Sequence, residues 1–398
     1  MTRQEMADEL FEAGKEVKRS FLGVAEASRK GDGMDETVYV QCVQILKNLN
    51  VLYQTIETGG ERLDLAIEEL TNRASDLSDR AGEDEFVSMF VSVLDGMLMN
   101  TIKFRQRYCL IRRNDGIPGL ASHIITNLGQ IAASLDQGYI PVIDTIHADN
   151  IMTDLSRQYA VNAWELYFGQ PIISFSQVAR EDKEVKVLEG IPGFMPSYDM
   201  DCLMNPRLMA FWRGIMKKYM PVSKTLYDSV RECLDRLPFG NGEKVLGVLC
   251  RGTDYTNIRP FNHPVQPPLK EVLEKAEEFM QQYRCDYCYL ATEDQEILQA
   301  FQKRFKDKLL TTQEIYYAPD LADTINDANR RRSIDLHQKN MEYLTALTVL
   351  SKCGYFIGGR TSGTVVSLLL SEGFAAEYIW DCGRYGIDDV LTLKSYIC

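Results

Sequence analysis

Residues 245 to 254 read Val-Leu-Gly-Val-Leu-Cys-Arg-Gly-Thr-Asp, an apolar run that ends in an arginine, a glycine, a hydroxyl and a carboxylate. Six consecutive apolar or small residues predict a strand buried on both faces, as in a parallel sheet covered by helices. Ligands of such sheets bind beyond the carboxyl ends of the strands, so we expect Arg251 at a ligand site. Its guanidinium suits a phosphate or carboxylate, and Asp254 could orient it or meet a ligand hydroxyl. An ordinary Arg-Asp pair that closes a strand-loop corner is the alternative.

The rest of the second half alternates between strand and helix patterns. Helix patterns cover 269–283, 295–305, 340–351 and 363–370, and strand patterns cover 287–291 and 355–357. This alternation predicts a parallel, doubly wound sheet. Upstream, a helix pattern over 121–135 and a strand pattern over 139–144 predict a first α/β half. The sequence therefore predicts an α/β protein with two halves that leave a cleft between them.

The first 111 residues carry helix patterns and no proline. The patterned segments are 3–29, 35–57, 61–80 and 84–111, and in the last one Phe86, Met89, Phe90, Val93 and Met97 fall on one helical face. An α-helical bundle is expected, with this face in its core. The predicted domains are thus 1–111, 112–238 and 239–398. For the bundle, the sequence leaves open homo-oligomerisation and the docking of a partner protein.

Composition limits the classes of partner and compartment. The chain has 398 residues, 45% of them hydrophobic and 25% charged, which is typical of soluble globular domains. It lacks a run of about 18 apolar residues and the apolar core of a signal peptide, so we expect a cytoplasmic protein without a membrane span. The formal net charge of −13 argues against nucleic acid as the main partner. Its ten cysteines are scattered, which predicts reduced thiols and no metal site.

Two further strand patterns end in polar residues. Thr292-Glu293-Asp294 follows one, and Gly358-Gly359-Arg360-Thr361-Ser362-Gly363-Thr364 follows the other. In the second motif the glycines let an anionic ligand approach the backbone closely, and the hydroxyls can donate hydrogen bonds to it. The next helix points its positive end at the loop. Together with the end at Arg251, these motifs predict a site for a diphosphate-bearing ligand, although neither a GxGxxG nor a GxxxxGK[ST] motif is present.

A cluster of aromatic residues surrounds one glutamate in the first half, at Asn162-Ala163-Trp164-Glu165-Leu166-Tyr167-Phe168. One interpretation is a helix start with a capping box between Asn162 and Glu165. The other is a platform of aromatic faces and a carboxylate for a polyhydroxylated acceptor. An acceptor hydroxyl needs a base within hydrogen-bond reach, and the candidates in order are Asp254, Glu165 and Asp144.

The strand-end motifs resemble those of the fucosyltransferases of the GT-B fold, which include α-1,6-, α-1,2- and protein O-fucosyltransferases. Strands of that family end in His-x-Arg-Arg-x-Asp and Ala-Thr-Asp-Asp, and a Ser-Ser-containing loop enters a helix. The counterparts here are 249–254, 291–294 and 361–364. The resemblance covers residues 245 to 371 and, more loosely, 116 to 180. It implies two Rossmann-like domains, with the acceptor bound mainly by the first, and a nucleotide-sugar donor, of which GDP-fucose leads.

The resemblance implies that Arg251 would hold the donor diphosphate and neutralise the leaving nucleotide, without a metal. It does not supply the catalytic base, so Asp254 and Glu165 are expected catalytic residues on the chemistry of their side chains alone. The expected donor-binding residues are Gly252, Thr253, Tyr255, Thr292, Glu293, His337, Glu342, Arg360, Thr361, Ser362, Gly363 and Thr364.

Several family positions differ in this chain. The histidine is Leu249, the second arginine is Gly252, and a glutamate of some α-1,6 members is Arg259. The aspartate near the guanine in some members falls at Ala346, and Glu342, one helical turn earlier, is the candidate substitute.

Two other functions stay open at the level of sequence. A nicotinamide-dependent oxidoreductase on a Rossmann pair is disfavoured because the glycine fingerprint after a first strand is missing. A non-catalytic nucleotide or glycan sensor fits the replacements at Leu249 and Arg259. The polar stretch 311–335, with Arg330-Arg331-Arg332, is either a lid over the donor or a solvated basic turn.

Overall fold

The structure is a computed structural model and divides into two compact units. It describes residues 3–30, 36–58, 66, 69–70, 72–74, 76–77, 85–102, 107–113, 118–148, 150–152, 161–178, 185–239, 242–318, 325, 329 and 334–386. The first unit comprises Met1–Tyr108, Gln137–Ile140 and Asp182–Val185, and the second comprises Cys109–Asp136, Pro141–Glu181 and Lys186–Cys398. No helix within these described ranges combines the length and the apolar character needed to cross a membrane.

Helices dominate the first unit. They are α1 (Arg3–Lys30), α2 (Glu36–Thr58) and α3 (Glu85–Ile102). Apolar residues repeat every three to four positions on the faces that meet, and the buried core includes Val17, Val24, Ile45, Phe90 and Leu94. The α-helical N-terminal region predicted from the sequence is therefore present.

The sequence misplaced two features of α3. Of the predicted stripe, Phe90 and Met97 are buried and Val93 packs against the core, whereas Phe86 and Met89 are close to half exposed and Val87 and Leu94 are buried in their place. The predicted stripe was shifted because Met and Phe suggested a core position as strongly as the smaller valines did. The helix also ends at Ile102 instead of residue 111, since 108–112 form a strand.

A three-stranded sheet with the order β2-β1-β3 opens the α/β part of the chain. The strands are β1 (Tyr108–Arg112), β2 (Ile140–Ile143) and β3 (Val185–Glu189), and α4 (Leu120–Asp136) connects the first two. Ile140 N donates to Arg107 O and Asp144 N to Ile111 O, so β1 and β2 run parallel. Along α4, twelve of the residues are buried.

A helical region joins this sheet to the second one. The helices are α5 (Phe175–Val178), α6 (Met200–Leu203), α7 (Pro206–Tyr219) and α8 (Lys224–Arg236). Asn205 accepts a hydrogen bond from Leu208 N with a proline at the next position, and Ser223 accepts one from Leu226 N. These caps begin α7 and α8 as separate helices.

The second sheet has five strands in the order β6-β5-β4-β7-β8, and every pair is parallel. Its strands are β4 (Val245–Leu249), β5 (Tyr287–Ala291), β6 (Leu309–Leu310), β7 (Tyr355–Gly359) and β8 (Ala376–Trp380). Its helices are α9 (Thr253–Ile258), α10 (Leu269–Tyr283), α11 (Gln295–Phe305), α12 (Leu336–Leu350) and α13 (Ser362–Leu370). The predicted doubly wound α/β fold is confirmed.

The strand order places β4, which is the first strand of this sheet along the chain, in the middle of the sheet. The chain winds outward from β4 to β5 and β6 on one side, and then returns to β7 and β8 on the other. The reversal makes a topological switch point between β4 and β7, where doubly wound sheets open a crevice at their carboxyl edge. All five residues of β4 are buried, as the apolar run at 245–250 predicted.

Candidate functional site

The carboxyl ends of three adjacent strands bring the polar motifs together. Leu249 pairs with Ala291 of β5 and with Gly358 of β7, so the residues that follow these strands lie side by side. Arg251, Glu293 and Thr361 line one cavity of about 500 Å³. The cavity lies at the switch point between β4 and β7 and has the size of a small-molecule site.

Two helices of the second unit begin at this cavity, which we call the switch-point cavity. Residues 118–122 at the start of α4 and residues 361–363 at the start of α13 both line it. The first backbone N–H groups of a helix lack partners within the helix and carry partial positive charge, so such ends favour an anion. Arg251 and Lys339 add two cationic side chains to the wall.

Glu293 holds the guanidinium of Arg251. Arg251 Nε lies 3.1 Å from Glu293 Oε1, and both side chains are largely buried. The same oxygen accepts from Gly252 N at 3.4 Å and from Thr253 Oγ1 at 3.3 Å. One carboxylate therefore holds the backbone at the end of β4 and pairs electrostatically with the arginine, without the geometry of a hydrogen bond to Nε. The side chains of Asp254 and Tyr255, both predicted at this site, lie outside the described residues.

Gly252 is required by the close approach of Asp294. A Cβ at position 252 would lie 2.3 Å from Asp294 Oδ2, so the second arginine expected from the family pattern has no room here. Asp294 Oδ2 instead accepts from Thr253 N at 3.0 Å, while Oδ1 accepts from Glu296 N and Ile297 N at the start of α11. Thr253 adopts a φ of 50°, which this hydrogen bond supports.

Some residues of the predicted phosphate loop line the cavity, and others only stabilise the loop at the start of α13. Thr361 and Ser362 line the cavity, and Thr361 Oγ1 caps the helix by accepting from Thr364 N at 3.1 Å. Thr364 itself is fully buried and donates to Gly359 O. Its hydroxyl thus belongs to the corner of the loop and does not line the cavity.

Gly363 and Tyr343 form one wall together. A Cβ on Gly363 would lie 2.7 Å from the Tyr343 hydroxyl oxygen, so only glycine permits this contact. Burial raises the pKa of Tyr343 to about 12, with a smaller opposing effect of Arg251. The phenol therefore stays neutral at physiological pH and offers an O–H donor beside the start of α13.

Arg360 does not line the cavity, although it was expected to assist Arg251. Its side chain is 7% exposed, and Nε donates to Tyr198 O at 2.9 Å. Its terminal nitrogens pair with Asp199 at 3.1 Å and with Asp381. Arg384 also pairs with Asp199, so two arginines and two aspartates fasten the Tyr198 segment to the ends of β7 and β8.

Glu342 lines the cavity as a carboxylate of α12. Its Oε2 accepts from Glu314 N and Ile315 N, both at 3.2 Å, which fastens the loop after β6. Ala346, one turn later, is fully buried and does not line the cavity. The described part of the predicted lid is therefore tied to α12, whereas residues 330–332 lie outside the described residues.

Two other expected donor-binding residues do not reach the cavity. His337 Nδ1 lies 3.1 Å from the Tyr167 hydroxyl, and its backbone N–H donates to the capping carboxylate of Asp335. Thr292 is buried, and its Oγ1 accepts from Asp294 N at 3.2 Å. Both side chains make structural contacts at the edge of the site.

The aromatic platform expected at 162–168 is not available to a ligand. Trp164, Tyr167 and Phe168 are fully buried, and Trp164 stacks on Phe168 with ring centroids 4.7 Å apart. Asn162 makes no capping bond, because its side chain binds Thr145 and Ile143 O at the end of β2. The platform and the capping bonds are thus wrong, whereas the predicted helix start is confirmed as a short 3-10 helix, Ala163–Leu166, with Asn162 at its N-cap position. Glu165 is exposed and accepts from Gln170.

Asp144, the third candidate base, is fully buried at the end of β2. Arg112 Nε donates to its Oδ2 at 2.6 Å, and His147 Nδ1 lies 2.8 Å from the same oxygen. A hydroxyl of a ligand cannot reach this carboxylate directly. The sequence reasoning missed His147, although the spacing Asp-x-x-His directly after a strand was a readable signal.

The sequence reasoning also missed His263, Lys339, Tyr343 and the start of α4, all of which line the cavity. Burial, and then the charge of Arg384, lowers the pKa of His263. The loop Gly116-Ile117-Pro118-Gly119 before α4 resembles the glycine-rich loop before α13 and could have been recognised. For His263, a loop residue twelve positions beyond Arg251, no local pattern gave a signal.

No protein-family model and no curated protein sequence matches this chain. Several solved structures do. The fucosyltransferase NodZ from Bradyrhizobium matches with a TM-score of 0.41, 11% identity and coverage of 67% of this chain and 94% of that chain. These solved structures are fucosyltransferases. A mutant of Arabidopsis thaliana FUT1 in complex with GDP gives a TM-score of 0.40 and 8% identity, covering 69% of this chain and 70% of that chain. POFUT1 in complex with GDP-fucose gives 0.39 and 9%, covering 69% and 98%.

Proposed function

We propose that this chain is a fucosyltransferase-like glycosyltransferase, which moves a sugar from a nucleotide-diphosphate donor to a hydroxyl of a glycan or another acceptor. The observation that carries the proposal is the switch-point cavity. Arg251, the start of α13 and the start of α4 converge on one space at the carboxyl edge of a doubly wound sheet. A diphosphate is the ligand group that matches a guanidinium fork and the first amides of a helix.

The chemistry requires charge stabilisation on the departing diphosphate. As the bond between the sugar and the phosphate breaks, negative charge grows on the phosphate oxygens, and donors already aimed at it lower the barrier. Arg251 lines the cavity as the ion-pair partner of Glu293, so a positive charge already lies where this negative charge would grow. The neutral hydroxyl of Tyr343 and the hydroxyl of Ser362 are further donors on the same wall.

GDP-fucose is the donor we propose, on the strength of the sequence motifs. Guanine presents two neighbouring N–H donors, and a carboxylate accepts both. Glu342 already accepts from two neighbouring backbone N–H groups, those of Glu314 and Ile315, and it lines the cavity. Binding of the base would exchange these partners for the nucleobase.

A thermal-shift panel with GDP, UDP, CDP, ADP and NAD tests the proposed ligand class. A ligand that is specific for the folded state stabilises it by about 2.7 kcal/mol at 100 times its dissociation constant. We expect GDP to give the largest shift, and release of GDP from GDP-fucose to show that the site is catalytic. A shift with NAD alone would contradict the proposal and favour an oxidoreductase. A shift with GDP but no turnover of any nucleotide sugar would favour a non-catalytic sensor.

A further inference from the structure

The carboxyl edge of the first sheet carries an aspartate-histidine pair that the switch-point cavity does not use. His147 Nδ1 lies 2.8 Å from Oδ2 and 3.0 Å from Oδ1 of Asp144. The pair lies directly after β2, at the carboxyl edge of the sheet, where parallel strands present ligand-binding residues.

Asp144 is held rigidly. Its carboxylate is fully buried and accepts from Arg112 Nε at 2.6 Å and from Ile146 N at 3.1 Å. Its own backbone N–H is bonded to Ile111 O of β1 at 2.9 Å. The arginine and the backbone donors hold the buried carboxylate in place, so it acts on a ligand only through the imidazole that it contacts.

The bond to Asp144 also decides which nitrogen of His147 is basic. A neutral imidazole that donates from Nδ1 to a carboxylate carries its lone pair on Nε2. The side chain of His147 is 55% exposed, and within the described part of the chain Nε2 has no protein partner. A fixed proton acceptor is thus presented to whatever lies over this edge of the sheet.

The pair does not itself line the switch-point cavity, but short stretches of chain connect it to residues that do. Ile151, four residues after His147, lines the switch-point cavity, so the two Cα atoms are at most about 14 Å apart. Arg113, next to Arg112, donates to Ser122 Oγ at 2.9 Å, and Ser122 lines the cavity as well. Both segments that build the pair, 112–113 and 144–151, therefore continue to residues that line the cavity or contact its lining.

We propose that His147 is the general base of the transfer reaction and that Asp144 positions it; this inference rests on the proposed glycosyltransferase function. The acceptor oxygen attacks the anomeric carbon, and the bond from that carbon to the phosphate oxygen breaks with its electron pair left on the diphosphate. The hydroxyl proton moves to Nε2 of His147, and the carboxylate of Asp144 offsets the charge of the imidazolium. The proton is later released to solvent.

The test uses the full chain with GDP-fucose as donor and with water and methanol as acceptors, and follows released GDP and labelled methyl fucoside. A general base contributes about 100-fold or more to the rate, so H147A should lower kcat by about 100-fold. The dissociation constant for GDP, measured by calorimetry, should stay within about twofold of the wild-type value, because donor binding does not use His147. Added imidazole should restore part of the activity of H147A.

Two further variants separate chemistry from structure. H147N keeps an amide N–H that can bond to Asp144 but has no basic nitrogen, so it should be as inactive as H147A. D144N retains the shape of the buried side chain and should lower kcat while GDP binding persists. Wild-type turnover in H147A and H147N would overturn the inference and leave the proposed function intact. A wild-type protein that neither binds GDP nor releases it from GDP-fucose would overturn both.

Discussion

Arg251 and Glu293 form an ion pair across the ends of β4 and β5, with Nε 3.1 Å from Oε1, and both side chains line the switch-point cavity. The carboxylate aims the guanidinium and bonds the backbone of Gly252, but it also places a negative charge beside the proposed diphosphate. Glu293 therefore supports the position of Arg251 but weakens the affinity for the proposed diphosphate. Substitutions can separate these two effects.

Glu293→Gln removes the charge and keeps an oxygen acceptor for Gly252 N, Thr253 Oγ1 and Arg251. We expect GDP to bind about fivefold more tightly, or about 1 kcal/mol, because repulsion of the phosphates is relieved. Calorimetric titration measures this, with Glu274→Gln on the exposed face of α10 as the charge-matched control. Weaker binding in Glu293→Gln would mean that the full charge is needed to hold the guanidinium.

Gly252→Ala places a methyl group where Asp294 Oδ2 now lies, at 2.3 Å. The carboxylate must then move away from Thr253 N and from the start of α11. We expect the free energy of unfolding to fall by about 2 kcal/mol, measured by urea denaturation. Gly214→Ala in α7 is the control, since a Cβ there meets no atom within 4 Å, and it should stabilise by about 0.5 kcal/mol. Equal stability of the two variants would show that the contact with Asp294 is absent in solution.

Much of the second sheet was predictable because its strands are buried on both faces. A continuous apolar run such as 245–250, next to alternating helix and strand patterns, favours a central parallel strand, and the polar residues that follow then lie at the carboxyl edge of the sheet. The helix over 269–283 and the strand over 287–291 occur where the sequence placed them. By contrast, Tyr108–Arg112 was predicted to be helical, and it is a strand because it pairs with β2 on one side and β3 on the other.

The sequence predicted only those site residues that belong to short motifs directly after a strand. Arg251, Glu293 and Thr361 come from strand ends whose alignment follows from the parallel register. Arg360 was misjudged because its partners, Asp199 and Asp381, are distant in sequence. No pattern near residue 360 shows that two carboxylates from other segments surround it.

Arg360→Ala should therefore act on stability more than on the donor. The substitution removes the partner of Asp381 and one of the two arginines paired with Asp199, and it leaves Tyr198 O without its donor. We expect a loss of about 2 kcal/mol in the free energy of unfolding, less than for a fully buried pair because both aspartates are half exposed. Affinity for GDP, measured on folded protein, should change by less than about threefold. A large loss of GDP affinity without a loss of stability would place Arg360 at the ligand.

The titration of His263 should depend on the ligand. Burial, and then the charge of Arg384, lowers the pKa of His263 below its ordinary value near 6.5, so just below that pH the folded protein holds less of a proton there than the unfolded chain does. The pKa of the unfolded chain is higher, so unfolding takes up a proton there and stability rises with pH through this window. A bound diphosphate favours the charged imidazole, so GDP binding near pH 6 should also take up a proton.

Calorimetry of GDP binding in buffers with different ionisation enthalpies measures this proton uptake. His263→Gln should abolish the part of the uptake that is due to the imidazole. An uptake that is unchanged in His263→Gln would show that His263 does not sense the ligand.

Binding of GDP to the wild-type protein and to Arg251→Ala, compared by calorimetry, tests the central claim most directly. A charged hydrogen-bonding group at a phosphate contributes about 2.7 kcal/mol, so Arg251→Ala should bind GDP about 100-fold more weakly. Arg251→Lys should fall between the two, because it keeps the charge and loses the fork. Arg231→Ala, which removes an exposed arginine from α8, should bind like the wild type. Equal affinity of Arg251→Ala and the wild-type protein would contradict the assignment of the switch-point cavity to the donor diphosphate.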